Sequence, residues 1–365
     1  MVENVSQWQC LVRPENLWQA YLKAKKGKSR RPDVASFSLN VDRELIDLRD
    51  ELVGGRYRPR GYRRFLVHDR KPRQISAAPF RDRVVHHALI QVTEASFENQ
   101  FSDHSWACRC GRGTHRAVQQ CQRWTRRYAY ALKMDIQGYF HNIDRVRLMS
   151  KIEDLIFEPE ILDLFQLIID SQPSSNGKGL PIGNLTSQVL GNLYLNDIDH
   201  FVTGNLGYKA YLRYVDDMLI LSDDKHGLWR SLADVEDKLA DEGLNLHLRK
   251  VYLQPTRCGL DFLGYRVYPR MVKLRAQNGY HFRRRLKHRV KAYHAGKMEW
   301  KDLNAGVQSW LGHARHADSL GLRKALFSDI VLHPGVSEQA VDSRRFVEQQ
   351  TGQPAFRQPE QEQGG

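Results

Sequence analysis

Residues 211–222, YLRYVDDMLILS, are two short apolar runs joined by a pair of acids, Asp216 and Asp217. Apolar stretches of this length, bounded by a polar turn, read as the two strands of a covered hairpin. Asp favours turns, so a simple hairpin accounts for that pair taken alone. A second strand changes the balance, because residues 128–135, YAYALKMD, also end on an acid, Asp135. A carboxylate at a buried strand end is costly unless something neutralises it. Three carboxylates converging on sheet ends supply what two hard divalent cations need: oxygen ligands, with room left for substrate phosphates. Such a pair of ions activates an attacking hydroxyl and stabilises the leaving oxygen in an in-line phosphoryl transfer.

The 365 residues suffice for one elaborate domain or two or three subdomains. Residues 1–50 read as a helical, partly basic N-terminal extension, broken near 28–32. Residues 57–76 hold short β-like stretches (FLVH, RQIS) among Gly, Pro and Arg. A helix follows over 82–101, with Val84, Ala88, Val92 and Ala95 on one face. Residues 145–170 are helical and divided by Pro159, and 185–202 read as one long helix after a Gly-rich loop. Leu228, Leu232, Val235 and Leu239 mark a helix that stops near Gly243, and LDFLGYRVYP (260–269) is a further strand. This order suits an α+β fold, an antiparallel sheet with helices on one face. The segment 336–365 is rich in Gln, Gly and Pro with few large apolar groups, and is expected to be a flexible tail.

The formal net charge is +14, and it is concentrated. Residues 273–301 carry ten Lys/Arg against one acid, Glu299, and residues 23–31 carry six Lys/Arg and no acid. Clustered cations that displace counterions from phosphates point to nucleic acid. A membrane surface fits less well, since neither patch has a strong apolar face. No run of eighteen apolar residues is present and MVENVSQWQC lacks the layout of a secretion signal, so a cytoplasmic protein is expected. Cys108, Cys110, His115 and Cys121 cluster, yet Cys-x-Cys is poor finger spacing and no second half follows, so reduced thiols are favoured over zinc.

Tyr214-Val215-Asp216-Asp217 resembles the YxDD box of reverse transcriptases, and KMDIQGYFHNID (133–144) resembles their first palm motif. GLPIGNLTSQVLGNLYLNDID (179–199) is similar to the loop and helix between the two, and RDRVVHHAL (81–89) to the fingers motif. LNLHLRK (244–250) and LDFLGYRV (260–267) resemble the closing palm motif and the primer grip. These blocks stand in the family's order over roughly 55–320. Most reverse transcriptases carry Gln before the Gly of the 180–188 loop and Ser-Pro at its end. This chain has Ile182-Gly183 and Ser187-Gln188, which resembles the enzymes of diversity-generating retroelements, as do KPRQISAAPFRDRVVHHAL (71–89) and SWLGHARHA (309–317).

The resemblance implies a right-hand polymerase: an N-terminal helical extension (1–50), fingers and palm (51–272), a helical basic thumb (273–335) and the tail. It implies RNA-directed DNA synthesis with two Mg²⁺ ions at Asp135, Ile136, Asp216 and Asp217. It places Lys71, Arg73 and Arg81 on the incoming triphosphate, where cationic forks suit phosphate oxygens; a solvated basic face is the plainer reading. Phe140, five residues after the first acid, would exclude a 2′-hydroxyl, or serve as a core aromatic. Lys250 stands where some polymerases keep a proton donor. Ile182 packs where relatives use Gln to hydrogen-bond, and Gln188 replaces a rigid Pro, so both are expected beside the nascent pair, with low fidelity at template adenines. Residues 281–297, with Arg283, Arg284, Arg285, Lys287 and Arg289, would lie along the template–primer duplex. His313 and His316, spaced i, i+3 on a helix, suit packing or backbone contact better than a metal. The implied partners are template RNA, a primer, dNTPs and a small basic helical accessory protein. Two alternatives remain open: a reverse transcriptase of another bacterial lineage (group II intron, retron or phage defence), and a catalytically inactive nucleic-acid-binding scaffold.

Overall fold

The computed structural model describes residues 6–68, 72–174, 176–328 and 330–332. Lys71 and the expected tail at 336–365 lie outside them. The described strands are, in chain order, β1 (Arg63–His68), β2 (Pro72–Ala77), β3 (Tyr130–Asp135), β4 (Tyr211–Tyr214), β5 (Asp217–Ser222), β6 (Tyr252–Pro255), β7 (Leu260–Phe262), β8 (Tyr265–Val267) and β9 (Val272–Leu274). With the helices between them they give the α+β class expected.

The chain divides into two compact units, 1–117 with 130–253, and 118–129 with 254–365. This differs from a division at 50 and 272. The N-terminal helices are no appendage: Leu11, Leu17, Val34 and Leu48 are fully buried in one core with Phe80, Val84 and Leu89. Proline sets where these helices start, standing in the first turn of Pro14–Lys25 and Pro32–Leu39, where its missing N–H costs nothing. Glu158 fixes the first helix, Gln7–Leu11, by accepting from the Gln7 and Trp8 amides (2.6 and 2.7 Å) and from the Ser6 hydroxyl (2.6 Å).

The helix Phe80–Glu98 is central to the first unit. Its buried residues include Val84, Val85, Ala88, Leu89, Ile90, Thr93 and Phe97, which surround much of the axis. The single face expected from Val84, Ala88, Val92 and Ala95 is therefore too narrow, and Ala95 is exposed. The long helix expected at 185–202 is broken into Leu185–Tyr194 and Asn196–His200. The Asn196 side chain accepts from Ser102 N (3.1 Å) and donates to Gln100 O (3.0 Å), and this coincides with the break.

β3 lies between β5 and β6, and β4 lies on the far side of β5. The β3–β5 register runs from Tyr130 opposite Ser222 to Asp135 opposite Asp217, so both strands bring an acid to the same end. Met134, Leu132, Met218 and Ile220 are buried, and this apolar body fixes the register, because a one-residue slip would turn every side chain over.

In the second unit, 260–267 form a hairpin instead of one strand. Leu263 and Gly264 both take positive φ (46° and 90°), which reverses the chain between β7 and β8. The helices Ala276–His294, Trp300–Ala314 and Leu320–Phe327 pack through Phe282 stacked on Trp310 at 4.0 Å, with Phe327 edge-on to both. They belong with β7–β9: Tyr265 OH meets His313 Nδ1 at 2.8 Å, and Asp318 exchanges two hydrogen bonds with Val272. This explains why the unit begins before 273. His313 is thus a packing residue, and the helix ends at Ala314, so His316 does not share it.

Candidate active site

The three acids meet at one end of the β3–β5–β4 sheet. Asp135 closes β3, Asp217 opens β5 beside it, and Asp216 lies in the turn after Tyr214. The Ile136 amide donates to the Asp216 carbonyl (3.3 Å). Residues 244–250 cover the other side: Leu246 bridges Ile136, Gln137 N donates to Asn245 O (2.9 Å) and His247 N to Asp135 O (2.7 Å). The sequence block 244–250 is thus tied directly to the first acid.

Burial and the neighbouring carboxylates of Asp135 and Asp217 push the Asp216 carboxyl up to about 6, against its own backbone hydrogen bond and the Lys250 ammonium. Crowded negative charge of this kind is relieved by a cation. Hard carboxylate oxygens suit Mg²⁺, so the donor set fits a divalent metal in kind. Among the described residues, however, no three acid, His or Cys side chains are gathered at ligating spacing. Two lysines hold the acids instead: Lys133 Nζ lies 3.1 Å from Asp217, and Lys250 Nζ pairs with Asp135. Lys133 escaped the sequence reading because a lone cation inside ALKMD looks like an interruption of the strand.

The turn itself is strained. Val215 has φ of 58°, a left-handed conformation that a β-branched residue adopts at a cost of about 1–3 kcal/mol. Beneath it Arg213, fully buried, forms a fork-to-fork pair with Asp199 (Nε–Oδ1 2.7 Å, Nη2–Oδ2 2.6 Å). Neither residue was singled out from sequence, although an Arg in the middle of YLRYV was a signal.

Phe140 lies in the short helix Tyr139–Asn142 that follows β3, half-buried beside Tyr139. Its carbonyl accepts from Leu180 N (2.8 Å), and the Tyr139 hydroxyl donates to Gly191 O, so loop and helix are both tied to this corner. The 180–188 loop docks on β2: Ser76 N donates to Ile182 O (2.9 Å), Asn184 Nδ2 to Ser76 O (3.0 Å), and Ala78 N to Asn184 Oδ1 (3.1 Å). Gly183 has φ of 112°, and an added Cβ would come 2.8 Å from Ile75, so the loop needs glycine twice over. Ile182 is half-buried at one end. Gln188, expected at the other end of the loop, lies instead in the first turn of the helix Leu185–Tyr194, where it is exposed and accepts from the Cys108 thiol at 3.4 Å.

The expected triphosphate cations divide. Arg73 is exposed on β2. Arg81 is buried, 2.5 Å from Glu51 and 5.8 Å from the Tyr57 ring centre, so its fork is engaged within the protein and does not face solvent as expected. Arg283, Arg284, Arg285 and Lys287 are exposed on the helix Ala276–His294, while Arg289 is half-buried over Gly306. Cys108 and Cys110 are exposed thiols and Cys121 is buried. A groove of about 430 Å³ is lined by Leu17, Trp18, Leu45 and Ile46 together with Glu15, Asp42 and Arg49, and it lies among the N-terminal helices away from the three sheet-end acids.

The family model described as reverse transcriptase (RNA-dependent DNA polymerase) matches residues 67–267, more than half of the chain and the whole acidic sheet. The chain belongs to the reverse transcriptase family. The group II intron-encoded protein LtrA of Lactococcus lactis subsp. cremoris is 28% identical over 207 residues, 53% of this chain and 34% of that protein. The chain therefore spans about a third of that relative's length. Protein YkfC of Escherichia coli (strain K12) is 25% identical over 271 residues, 61% of this chain and 71% of that one. Among solved structures, a chain of a partial Cas6-RT-Cas1–Cas2 complex matches at TM-score 0.41 and 18% identity, covering 66% of this chain and 43% of that one. Apo telomerase from Candida tropicalis matches at TM-score 0.46 and 13% identity, covering 59% and 55%. No described helix is long and apolar enough to cross a membrane.

Proposed function

We propose that the chain is an RNA-directed DNA polymerase that extends a primer on an RNA template with dNTPs. The observation that carries this reading is the meeting of Asp135, Asp216 and Asp217 at one sheet end in a member of this family. These carboxylates, with the Ile136 position between strand and turn, would hold two Mg²⁺ ions, which supply Lewis-acid activation of the primer hydroxyl and neutralise charge on the transferred phosphate. The protein's own groups do the rest. Lys250, beside Asp135 and partly open to solvent, holds a proton for the departing pyrophosphate. Phe140 fills the space under the sugar and leaves no room for a 2′-hydroxyl. Arg73, with Lys71, attracts the triphosphate, while Arg81 braces the helices through Glu51. Arg283, Arg284, Arg285, Lys287 and Arg289 contact the duplex backbone as part of a thumb.

Replacing Asp216 with Asn keeps the shape of the turn and removes one charge. Mg²⁺-dependent primer extension on an RNA template should collapse, by about 100-fold or more given the scale of preorganised electrostatic stabilisation. Wild-type extension by that variant would put the chemistry elsewhere.

Within the family, the reading we favour is the mutagenic polymerase of a diversity-generating retroelement, acting with a small basic helical accessory protein in mutagenic retrohoming. Ile182 and Gln188, which replace a hydrogen-bonding and a rigid residue of other family members, support it. LtrA, by its name a group II intron-encoded protein, supports a second reading, a polymerase of the intron type. Deep sequencing of cDNA from a template of mixed composition separates them: errors concentrated opposite adenine favour the first, and an even spread favours the second.

A further inference from the structure

We infer that Arg213, clamped by Asp199, is a positioning residue that holds the Val215 peptide in its left-handed conformation and thereby presents Asp216 and Asp217. This rests on the polymerase reading above and names what keeps its turn in shape.

Val215 has no local reason to adopt φ of 58°. It is not glycine, and a branched Cβ resists that region. Such a conformation persists only where the surroundings over-determine it. The Val215 carbonyl accepts a hydrogen bond from Arg213 Nη1 at 3.3 Å. Arg213 is itself held from several sides. Its fork is fixed on Asp199, whose Oδ1 also accepts from the Tyr211 hydroxyl at 2.8 Å. Its Nη1 and Nη2 reach Asn192 Oδ1 (3.2 Å) and Asn192 O (3.1 Å) on the helix Leu185–Tyr194. Its backbone N donates to His104 O and its carbonyl accepts from Trp106 N, both at 2.9 Å. The guanidinium is a rigid plane anchored in the core, and the carbonyl at its open edge belongs to the one strained peptide of the turn.

A wholly buried ion pair is weak evidence of stability, because desolvating both charges offsets much of their attraction. Conformational specificity gives such a pair a role, and the strained peptide is the conformation being specified. Lysine at 213 would keep a cation for Asp199 but could not make the planar set of bonds that reaches Val215 O.

The test uses the full chain with Arg213→Lys, and the same change combined with Val215→Gly. Glycine enters the left-handed region freely, so it removes the need for a clamp. Hydrogen–deuterium exchange without metal or nucleotide reads the turn directly, and primer extension with Mg²⁺ reads its consequence. In Arg213→Lys, exchange over residues 214–217 should rise. The kcat should fall by roughly 10- to 100-fold, the cost of a small misplacement of reacting groups, with KM for dNTP nearly unchanged. Adding Val215→Gly should recover a large part of kcat while exchange stays high. A merely structural role would give no such rescue.

Asp199→Asn keeps the shape of the clamp, weakens it, and should show the same pattern if Arg213→Lys does not fold. Wild-type kcat and exchange in a folded Arg213 variant, or absence of rescue by glycine, overturns the inference. So does failure of both variants to fold, which would make the pair simple scaffolding. An inactive wild-type protein would instead overturn the polymerase reading, and the exchange data would still decide whether Arg213 holds the turn.

Discussion

Gly191 lies so close to Phe140 that a Cβ added to it would come 3.1 Å from Phe140 Cε1. The helix Leu185–Tyr194 therefore sets how far the ring can retreat. If Phe140 is the sugar gate, Phe140→Ala should admit ribonucleotides and reduce discrimination by about 10-fold or more, the scale set by one missing group in a close-fitting pocket. Gly191→Ala should push the ring and raise KM for dNTP, and that effect should vanish in the double variant. Steady-state extension with paired dNTP and rNTP substrates measures both. Unchanged rNTP exclusion in Phe140→Ala would place the gate elsewhere.

The exposed cations of the helix Ala276–His294 make a separate prediction. Changing Arg283, Arg284 and Arg285 to Ala should weaken template–primer binding for all sequences alike. Each lost phosphate contact should reduce the log–log salt slope by about 0.7–0.9. Fluorescence anisotropy over a salt series gives that slope. A slope that stays put would make this face idle, or a surface for another protein.

Ile182 speaks to fidelity. Its carbonyl is bonded to Ser76 N, so its backbone is fixed and only the side chain is free to vary the outcome. Ile182→Gln should reduce misincorporation opposite template adenine more than errors at other bases. The measurement is sequencing of cDNA made by both proteins on one mixed template. If activity falls while the error spectrum is unchanged, Ile182 is a packing residue.

Acid should destabilise the fold through His86. Burial, then the charges of His87 and Arg83, lower its imidazole to about 3, and Thr186 Oγ1 lies 3.4 Å from Nδ1. The folded protein keeps this ring neutral while the unfolded chain protonates it near 6.5. The contribution is thus intact above about 6.5 and is lost progressively as pH falls towards 3. From this residue alone, stability should drop by about 2 kcal/mol between pH 7 and 5. Urea unfolding at the two pH values should show His86→Asn with the shallower dependence; equal dependence in both proteins would contradict the buried neutral ring.

The acids could be read from sequence because apolar strands that end on Asp leave a local mark, and the strand ends at 135 and 217 stand where that mark put them. What lay hidden depends on partners far along the chain. Arg81 looks like a free cation until Glu51 is placed beside it. The helix beginning at Leu185 looks continuous until Asn196 reaches Gln100 and Ser102. The 260–269 segment is a different case, since Gly264 after Leu263 was a legible turn signal overridden by the apolar residues around it. Lys133 and Arg213 are cations within strands, and only the fold reveals that each faces an acid.

The grip of Glu158 on the Gln7 and Trp8 amides has a consequence in time. On the ribosome, the first helix is made well before the carboxylate that receives its leading amides. At typical elongation rates the interval is roughly 8–30 s, far longer than a helix takes to form and melt. Throughout that interval those amides are left to water, and the helix Gln7–Leu11 lacks the carboxylate that fixes its start until residue 158 is made.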